Sequence, residues 1–138
     1  MWEGNVYLTF GRRNMKITDA KLLKMWREVV IGRAGRCEYP SCNIHYTQLH
    51  PHHLYSRRYA TMRYNPDAGI CLCPYHHTMG GFSAHHDPDF KNILTFYRVR
   101  TEAFFDKLRT ERNRTQKNNN AWKEYCYERL QSILEEMK

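Results

Sequence analysis

Residues 69–77 read Gly-Ile-Cys-Leu-Cys-Pro-Tyr-His-His and decide the fold of this 138-residue chain. The apolar run at 70–73 predicts a short strand, and the proline after it suits the first turn of a helix carrying the two histidines. Upstream, the polar and aromatic segment 45–48 predicts a strand leading into the His-Pro-His-His of residues 50–53. Asn65–Gly69 is a turn signal. The predicted order is strand, loop, strand and helix, within an α+β fold.

Helical patterns flank this centre on the N-terminal side. Val6–Phe10 alternates weakly, as a short strand would. Thr18 suits the N-cap of a helix of about 14 residues, ended by Gly32 and Gly35. Its apolar face comprises Leu22, Leu23, Trp26, Val29 and Val30. These patterns predict a basic helical segment over residues 1–36.

On the C-terminal side, apolar residues recur at helical spacing from near Asp89 to Leu108 and predict one long helix. Lys117 and the three asparagines after it break the pattern, and Asn120 can cap a last helix. We therefore expect a central unit at residues 37–90, followed by a basic helical arm at residues 91–138.

The charge distribution favours a polyanionic partner. The net charge is +8 and the pI is near 9.4. Residues 12–36 carry eight Lys and Arg against two acids, and residues 91–138 carry eleven against seven. A weakly charged centre between basic flanks fits binding to a phosphate backbone. The C-terminal helices are candidates for gripping such a partner or for pairing two copies into a homodimer.

Compartment and cysteine usage point to metal ligation. No apolar run approaches the length of a membrane span, and the N-terminus lacks a signal-peptide pattern, so we expect a cytoplasmic protein without a membrane partner. The chain has five cysteines, an odd number that cannot form a complete disulfide framework. In a reducing compartment, metal binding is the favoured use of such residues.

The cysteines and one histidine form two ligand pairs. Cys37 and Cys42 are five positions apart, and Cys73 and His76 are three apart. Three thiolates and an imidazole make a closed tetrahedral zinc site of the structural kind. Cys71 competes as a ligand, but we expect it to point away from Cys73 and assign it to the core.

Three further histidines suggest a second site. His52 and His53 are neighbours on a predicted strand and therefore point to opposite faces, so one can hold a metal while the other acts as a base. A metal held by His52 and His77 keeps positions open for water and substrate oxygens, as catalytic sites require. His53 would then abstract a proton from the attacking water.

These residues resemble a known family. Leu49-His-Pro-His-His-Leu-Tyr-Ser-Arg57, followed by Arg63-Tyr-Asn-Pro-Asp-Ala-Gly-Ile-Cys-Leu-Cys-Pro-Tyr-His-His77, is similar to the HNH (His-Me finger) endonucleases, and closest to the small bacteriophage forms. Ser83-Ala-His-His-Asp-Pro88 resembles a continuation in that subgroup. The resemblance covers about residues 37–90. It implies a ββα-metal fold that cleaves DNA by metal-assisted hydrolysis, in the host cytoplasm if the chain is phage-encoded.

The resemblance also implies roles by position. His53 matches the general base, His52 the first metal ligand and His77 the last metal ligand. The structural zinc ligands match Cys37, Cys42, Cys73 and His76.

One position departs from the family pattern. The residue before the glycine that opens the second strand is normally an asparagine that steadies the active-site loop, and here it is Ala68. Three explanations stand: an engineered inactive variant, which we favour, replacement of the amide by Asn65 from the same turn, or naturally weak activity.

The remaining charged and imidazole side chains have expected roles around this site. Arg57, Arg58 and Arg63 lie between its two halves, where a cleaved phosphate needs positive charge. His85 is expected to contact phosphate or to complete the metal shell. Imidazole ligands favour Mn²⁺, Ni²⁺, Co²⁺ or Zn²⁺ over Mg²⁺ as the catalytic ion, because Mg²⁺ prefers oxygen.

The sequence thus predicts a metal-dependent DNA endonuclease. A branched-DNA (junction) resolving nuclease is an alternative within this class. Two readings from other classes stay open, a non-catalytic zinc-knuckle module that binds DNA and, with less support, a protein-interaction adaptor.

Overall fold

The computed structural model describes residues 16–43 and 48–138. The predicted strand at Val6–Phe10 and most of the segment 45–48 lie outside these residues. The described elements run in the order α1 Asp19–Ala34, β1 His50–His53, α2 Ala60–Arg63, a 3₁₀ turn Pro66–Ala68, β2 Gly69–Leu72, a π-helical turn Tyr75–Met79, α3 Phe90–Phe96, α4 Glu102–Asn113 and α5 Asn120–Glu136. The α+β class is confirmed, and so is the central order of strand, loop, strand and helix.

The two strands pair antiparallel in a register that sets the orientation of His52 and His53. His52 lies opposite Ile70, and His53 lies opposite Gly69. Because side chains alternate along a strand, the two histidines project from opposite faces of the sheet. A two-stranded sheet is marginal by itself in water, so both faces must be covered by other elements.

Two apolar cores cover the two faces. One core contains Ile70, Leu72 and Cys73 from the sheet region, together with residues of α3 and α4. The other contains Cys71 with residues of α1 and α5. Cys71 and Cys73 therefore lie in different cores, as expected, but alternation is not the reason, because residues two apart on a strand share a face. The strand ends at Leu72, so the side chain of Cys73 no longer follows the alternation. Both cores combine the central segment with its flanking helices, while the boundaries at residues 36 and 90 stay predictions.

Helix α1 begins as predicted and ends later than predicted. The side chain of Thr18 accepts a hydrogen bond from the Lys21 backbone N–H at 3.1 Å, and Gly35 ends the helix with a φ of 70°. The expectation that Gly32 helps to end it is wrong, since the helix runs on to Ala34. A Cβ at Gly32 would lie 2.3 Å from the Cε atom of Met137, so the missing side chain makes room for the end of α5.

The single long helix predicted from Asp89 is also wrong. It is two helices, because α3 ends at Phe96 and α4 begins at Glu102. Arg98 adopts a φ of 60° between them, and Thr101 caps α4 by accepting from the Phe104 N–H at 3.0 Å. Apolar spacing continues across this break, so periodicity alone could not reveal it. The last helix is capped by Asn119, one residue before the predicted Asn120.

Within the described part of the chain, no helix combines the length and the apolar character needed to cross a membrane.

Candidate metal centres

Four side chains from three parts of the chain converge beside the sheet. The ligand atoms of Cys37, Cys42, Cys73 and His76 all lie within 4.8 Å of one another. The Nδ1 atom of His76 lies 3.4 Å from the sulfur of Cys73 and 3.6 Å from that of Cys37. This is the predicted ligand set, and its donor chemistry suits a tetrahedral ion. The group could hold a metal such as zinc.

Local structure fixes this closed cluster. Ser41 takes a φ of 58°, and Cys42 donates its N–H to the Tyr39 carbonyl at 3.1 Å, which folds the knuckle between the first two cysteines. The ring of Tyr39 stacks on His76 with centroids 4.0 Å apart. Burial raises the pKa of the Cys37 thiol to about 12, because a buried thiolate lacks a compensating charge. A bound divalent cation would supply that charge.

A second group of three imidazoles lies on the other side of the π-helical turn. The ligand atoms of His52, His77 and His85 lie within 4.8 Å of one another. The Nε2 atoms of His77 and His85 are 3.1 Å apart, and the Nδ1 atom of His77 lies 3.0 Å from that of His50. His85 is exposed, so this open cluster has solvent on one side. Two members were predicted metal ligands, and His85 was predicted to contact substrate or complete the shell.

The electrostatics of the open cluster favour the neutral form of His52 and His77. Burial lowers the pKa of His52 to about 3, with further lowering by the nearby His77 and His85. Burial likewise lowers the pKa of His77 to about 4, followed by the influence of His85 and His50. Neutral imidazoles have free lone pairs, which is the form that ligates metals.

His53 lies on the opposite face of the sheet in a different environment. Its ring stacks on the indole of Trp26, with centroids 3.9 Å apart and an interplanar angle of 6°. Its Nε2 atom lies 2.9 Å from the carbonyl oxygen of Arg63 and therefore donates to it. The Nδ1 atom is left as the acceptor. Burial is the main cause that lowers the pKa of His53, so the ring is a neutral base at physiological pH.

Gly69 makes this stacking possible. It lies opposite His53 in the register. A Cβ on Gly69 would lie 2.7 Å from the Cζ2 atom of Trp26 and 2.5 Å from Val30. The missing side chain lets the indole lie against the sheet and reach the histidine.

The turn between the strands is anchored by Asn65. Its Oδ1 accepts from the Asp67 N–H at 2.9 Å, and its Nδ2 donates to the Glu111 carboxylate at 3.0 Å. Its backbone carbonyl accepts from the indole N–H of Trp26 at 2.8 Å. Asp67 in turn pairs with Arg129 at 3.1 Å. Helices α1, α4 and α5 therefore all hold the turn that supports His53.

Ala68 faces the apolar core. Its side chain is fully buried in the cluster that also contains Leu54 and Met62, and its carbonyl accepts from the Leu54 N–H at 2.7 Å. The position that resembles the family asparagine is thus an apolar one here. Asn65, the other amide of this turn, makes side-chain contacts that steady it, and the three explanations for Ala68 stay predictions.

The three predicted arginines differ in how they are engaged. The guanidinium of Arg63 donates to the carbonyls of Arg57 at 2.9 Å and Arg58 at 3.4 Å, which closes the loop before α2. Arg58 reaches the Tyr59 hydroxyl at 3.4 Å. All three arginines line an open cavity of about 520 Å³ that also borders α1.

Sequence reasoning assigned Trp26 only to the apolar face of a helix and did not include His50 among the ligands. Alternation along the strand could have found His50, since it shares a face with His52. No local signal could have found the stacking of Trp26 on His53, because it joins residues far apart in the sequence.

Comparisons with protein-family models, with curated proteins and with solved structures found no match for this chain.

Proposed function

We propose that this chain is a metal-dependent DNA endonuclease of the HNH (His-Me finger) class, in which β1, β2 and the π-helical turn form a ββα-metal core. One observation carries the proposal. The adjacent His52 and His53 project into two different environments, an open group of imidazoles on one face and a pinned, neutral ring on the other. This division matches the separate needs of metal binding and proton transfer.

The donor set of the open cluster fits a divalent ion. The ligand atoms of His52, His77 and His85 converge and leave one side to solvent, and burial lowers the pKa of His52 and of His77. All-nitrogen ligation favours Mn²⁺, Ni²⁺, Co²⁺ or Zn²⁺ over Mg²⁺. When bound, the ion would act as a Lewis acid that offsets negative charge developing on the phosphodiester.

His53 would accept the proton of the attacking water at Nδ1. Its Nε2–H is committed to the Arg63 carbonyl, so the tautomer and the ring plane are fixed before the proton arrives. After transfer the ring is cationic. The face of the Trp26 indole and the carbonyl oxygen of Arg63 both favour a positive charge at this place.

Nicking of supercoiled plasmid DNA with Mn²⁺ or Ni²⁺ tests the proposal. We expect His53→Ala to lower the rate by about 10²–10⁴-fold, the usual contribution of a positioned general base. His86→Ala is the matched control, because His86 is an exposed histidine outside the open cluster. Equal cutting by the wild type and His53→Ala would refute the role of His53. Duplex and four-way-junction substrates in the same assay separate the two nuclease alternatives.

A non-catalytic zinc-knuckle module that binds DNA is the second candidate. The buried, apolar Ala68 favours it, because the family pattern places an amide there. The test uses folded wild-type protein that holds its closed-cluster metal. Salt-sensitive DNA binding without cleavage in Mn²⁺, Ni²⁺, Co²⁺ or Zn²⁺ would establish the module and exclude the nuclease.

A further inference from the structure

Three cationic side chains converge on one tyrosine beside the open cluster. The Nζ atom of Lys91 lies 4.4 Å from the centroid of the Tyr55 ring, and the guanidinium carbon of Arg112 lies 5.0 Å from it. Arg109 donates to the Tyr55 hydroxyl at 3.4 Å. Arg112 also lies 5.7 Å from the ring of Tyr59. Helices α3 and α4 and the loop after β1 thus build one cationic platform.

Two of these three charges are not neutralised. Arg109 pairs with Asp106 on its own helix. Lys91 and Arg112 form no ion pair with any carboxylate of the described residues. The pKa of Lys91 is lowered by burial first and then by repulsion from Arg112 and Arg109. Holding like charges together costs free energy in the free protein, and an anion would recover it.

The platform lies next to the proposed reaction centre. Lys91 and His52 line the same cavity of about 250 Å³, and Phe90, the first residue of α3, has its ring 6.1 Å from that of His52. The rings of Tyr55 and Tyr59 already carry cations on their faces. The two rings are therefore poorly placed for stacking on DNA bases. The cationic platform suits phosphate oxygens instead.

We infer that Lys91 and Arg112 bind the backbone phosphates of the DNA strand next to the bond that is cut, while Tyr55 holds both cations in place. This inference rests on the proposed function and adds the path of the substrate. Contacts of this kind carry no sequence information, so the platform contributes affinity equally on any sequence.

The test is DNA binding by fluorescence anisotropy with the full chain in a His53→Ala background, which keeps the DNA intact. A labelled duplex is titrated between 0.05 and 0.2 M salt (roughly the range in which phosphate contacts dominate). Lys91→Gln and Arg112→Gln are compared with Lys107→Gln, an exposed lysine of α4 that contacts neither tyrosine. Lys91→Arg and Arg112→Lys preserve the charge, and thermal melting verifies that each variant is folded.

Each charge removal should weaken binding by about tenfold at 0.1 M salt and reduce the slope of log affinity against log salt by about 0.9. The loss should be equal on two unrelated sequences, and the charge-preserving variants should bind nearly as the parent does. Unchanged binding in the folded double variant Lys91→Gln/Arg112→Gln would overturn the inference, as would a loss no larger than that of Lys107→Gln. Tighter binding of a polyglutamate peptide than of DNA would also overturn it, in favour of an acidic protein partner.

If the chain is not a nuclease, the binding and cleavage assays give a different combination of results. Charge-dependent DNA binding at Lys91 and Arg112, with no cleavage by the wild type, leaves the platform standing and removes only the catalysis.

Discussion

The closed and the open clusters use related side chains near the same short sheet, yet their surroundings differ. The closed cluster has three cysteines and one histidine, with Cys37, Cys73 and His76 buried. The open cluster has three histidines and ends at the exposed His85. A set of four ligands, three of them buried, leaves no position for substrate, whereas three ligands beside solvent leave one open.

The surroundings therefore separate a cluster suited to stabilising the fold from one suited to chemistry. In the closed cluster, burial holds the Cys37 thiol neutral until a cation binds, so metal binding and folding are coupled. In the open cluster, burial already lowers the pKa values of His52 and His77, so the proposed ion would bind and leave without a change of fold. The predictions below test this contrast.

The largest expected effect is the loss of one closed-cluster ligand. Cys73→Ser should remove bound zinc and unfold much of the chain at moderate temperature, because metal binding in such sites supplies on the order of 10 kcal/mol of folding free energy. His77→Ala should keep the zinc and the melting temperature but lose the exchangeable ion. Native mass spectrometry and thermal melting check both variants. A melting temperature that falls equally in the two would break the contrast between the clusters.

The second effect concerns the identity of the exchangeable ion. Since the open cluster offers nitrogen ligands, cleavage should be at least about tenfold faster with Mn²⁺, Ni²⁺ or Co²⁺ than with Mg²⁺. Initial rates of plasmid nicking at equal ion concentration measure this. A sharp maximum with Mg²⁺ would contradict ligation by three imidazoles.

The third effect concerns the support of His53. Trp26→Phe should keep a stacked ring but lose the hydrogen bond to the Asn65 carbonyl, at a cost of about 1 kcal/mol. Trp26→Leu also loses the stacking. We expect kcat to be highest in the wild type, lower in Trp26→Phe and lowest in Trp26→Leu. KM should stay nearly constant, and the open-cluster ion should be retained. Activity losses that merely follow the melting temperature would show that Trp26 serves the core alone.

The smallest effect on activity is expected at the turn. Ala68→Asn should destabilise the fold by about 1–3 kcal/mol, because its amide would be buried in an apolar cluster. Asn65→Ala should lower activity more than stability, because it removes the side-chain bonds to Asp67 and Glu111. Chemical denaturation and nicking rates measure the two effects. A gain of activity in a stable Ala68→Asn variant would instead support the view that the alanine is an inactivating change.

The sequence allowed prediction of those parts of the site that depend on local spacing. The pairs Cys37–Cys42 and Cys73–His76 and the alternation of His52 and His53 follow from short-range geometry, and the structure brings each of them where the spacing requires. The break between α3 and α4 was missed because a positive φ at Arg98 leaves the apolar pattern intact.

Long-range support could not be predicted for a different reason. Trp26 and Glu111 belong to helices that read as ordinary amphipathic segments. Their contacts with His53 and Asn65 arise only when the helices pack on the turn. No property of the local sequence encodes such a contact, since it depends on the packing of distant elements.

The antiparallel register has a consequence for how this chain can change over evolutionary time. Since side chains alternate with a period of two, a single inserted or deleted residue in β1 would exchange the places of the two neighbouring imidazoles relative to Gly69. Substitution at either histidine alters one function, whereas a shift of one residue removes both together. The strand is therefore expected to tolerate a change of length even less than a substitution, since its length decides which histidine faces each side of the sheet.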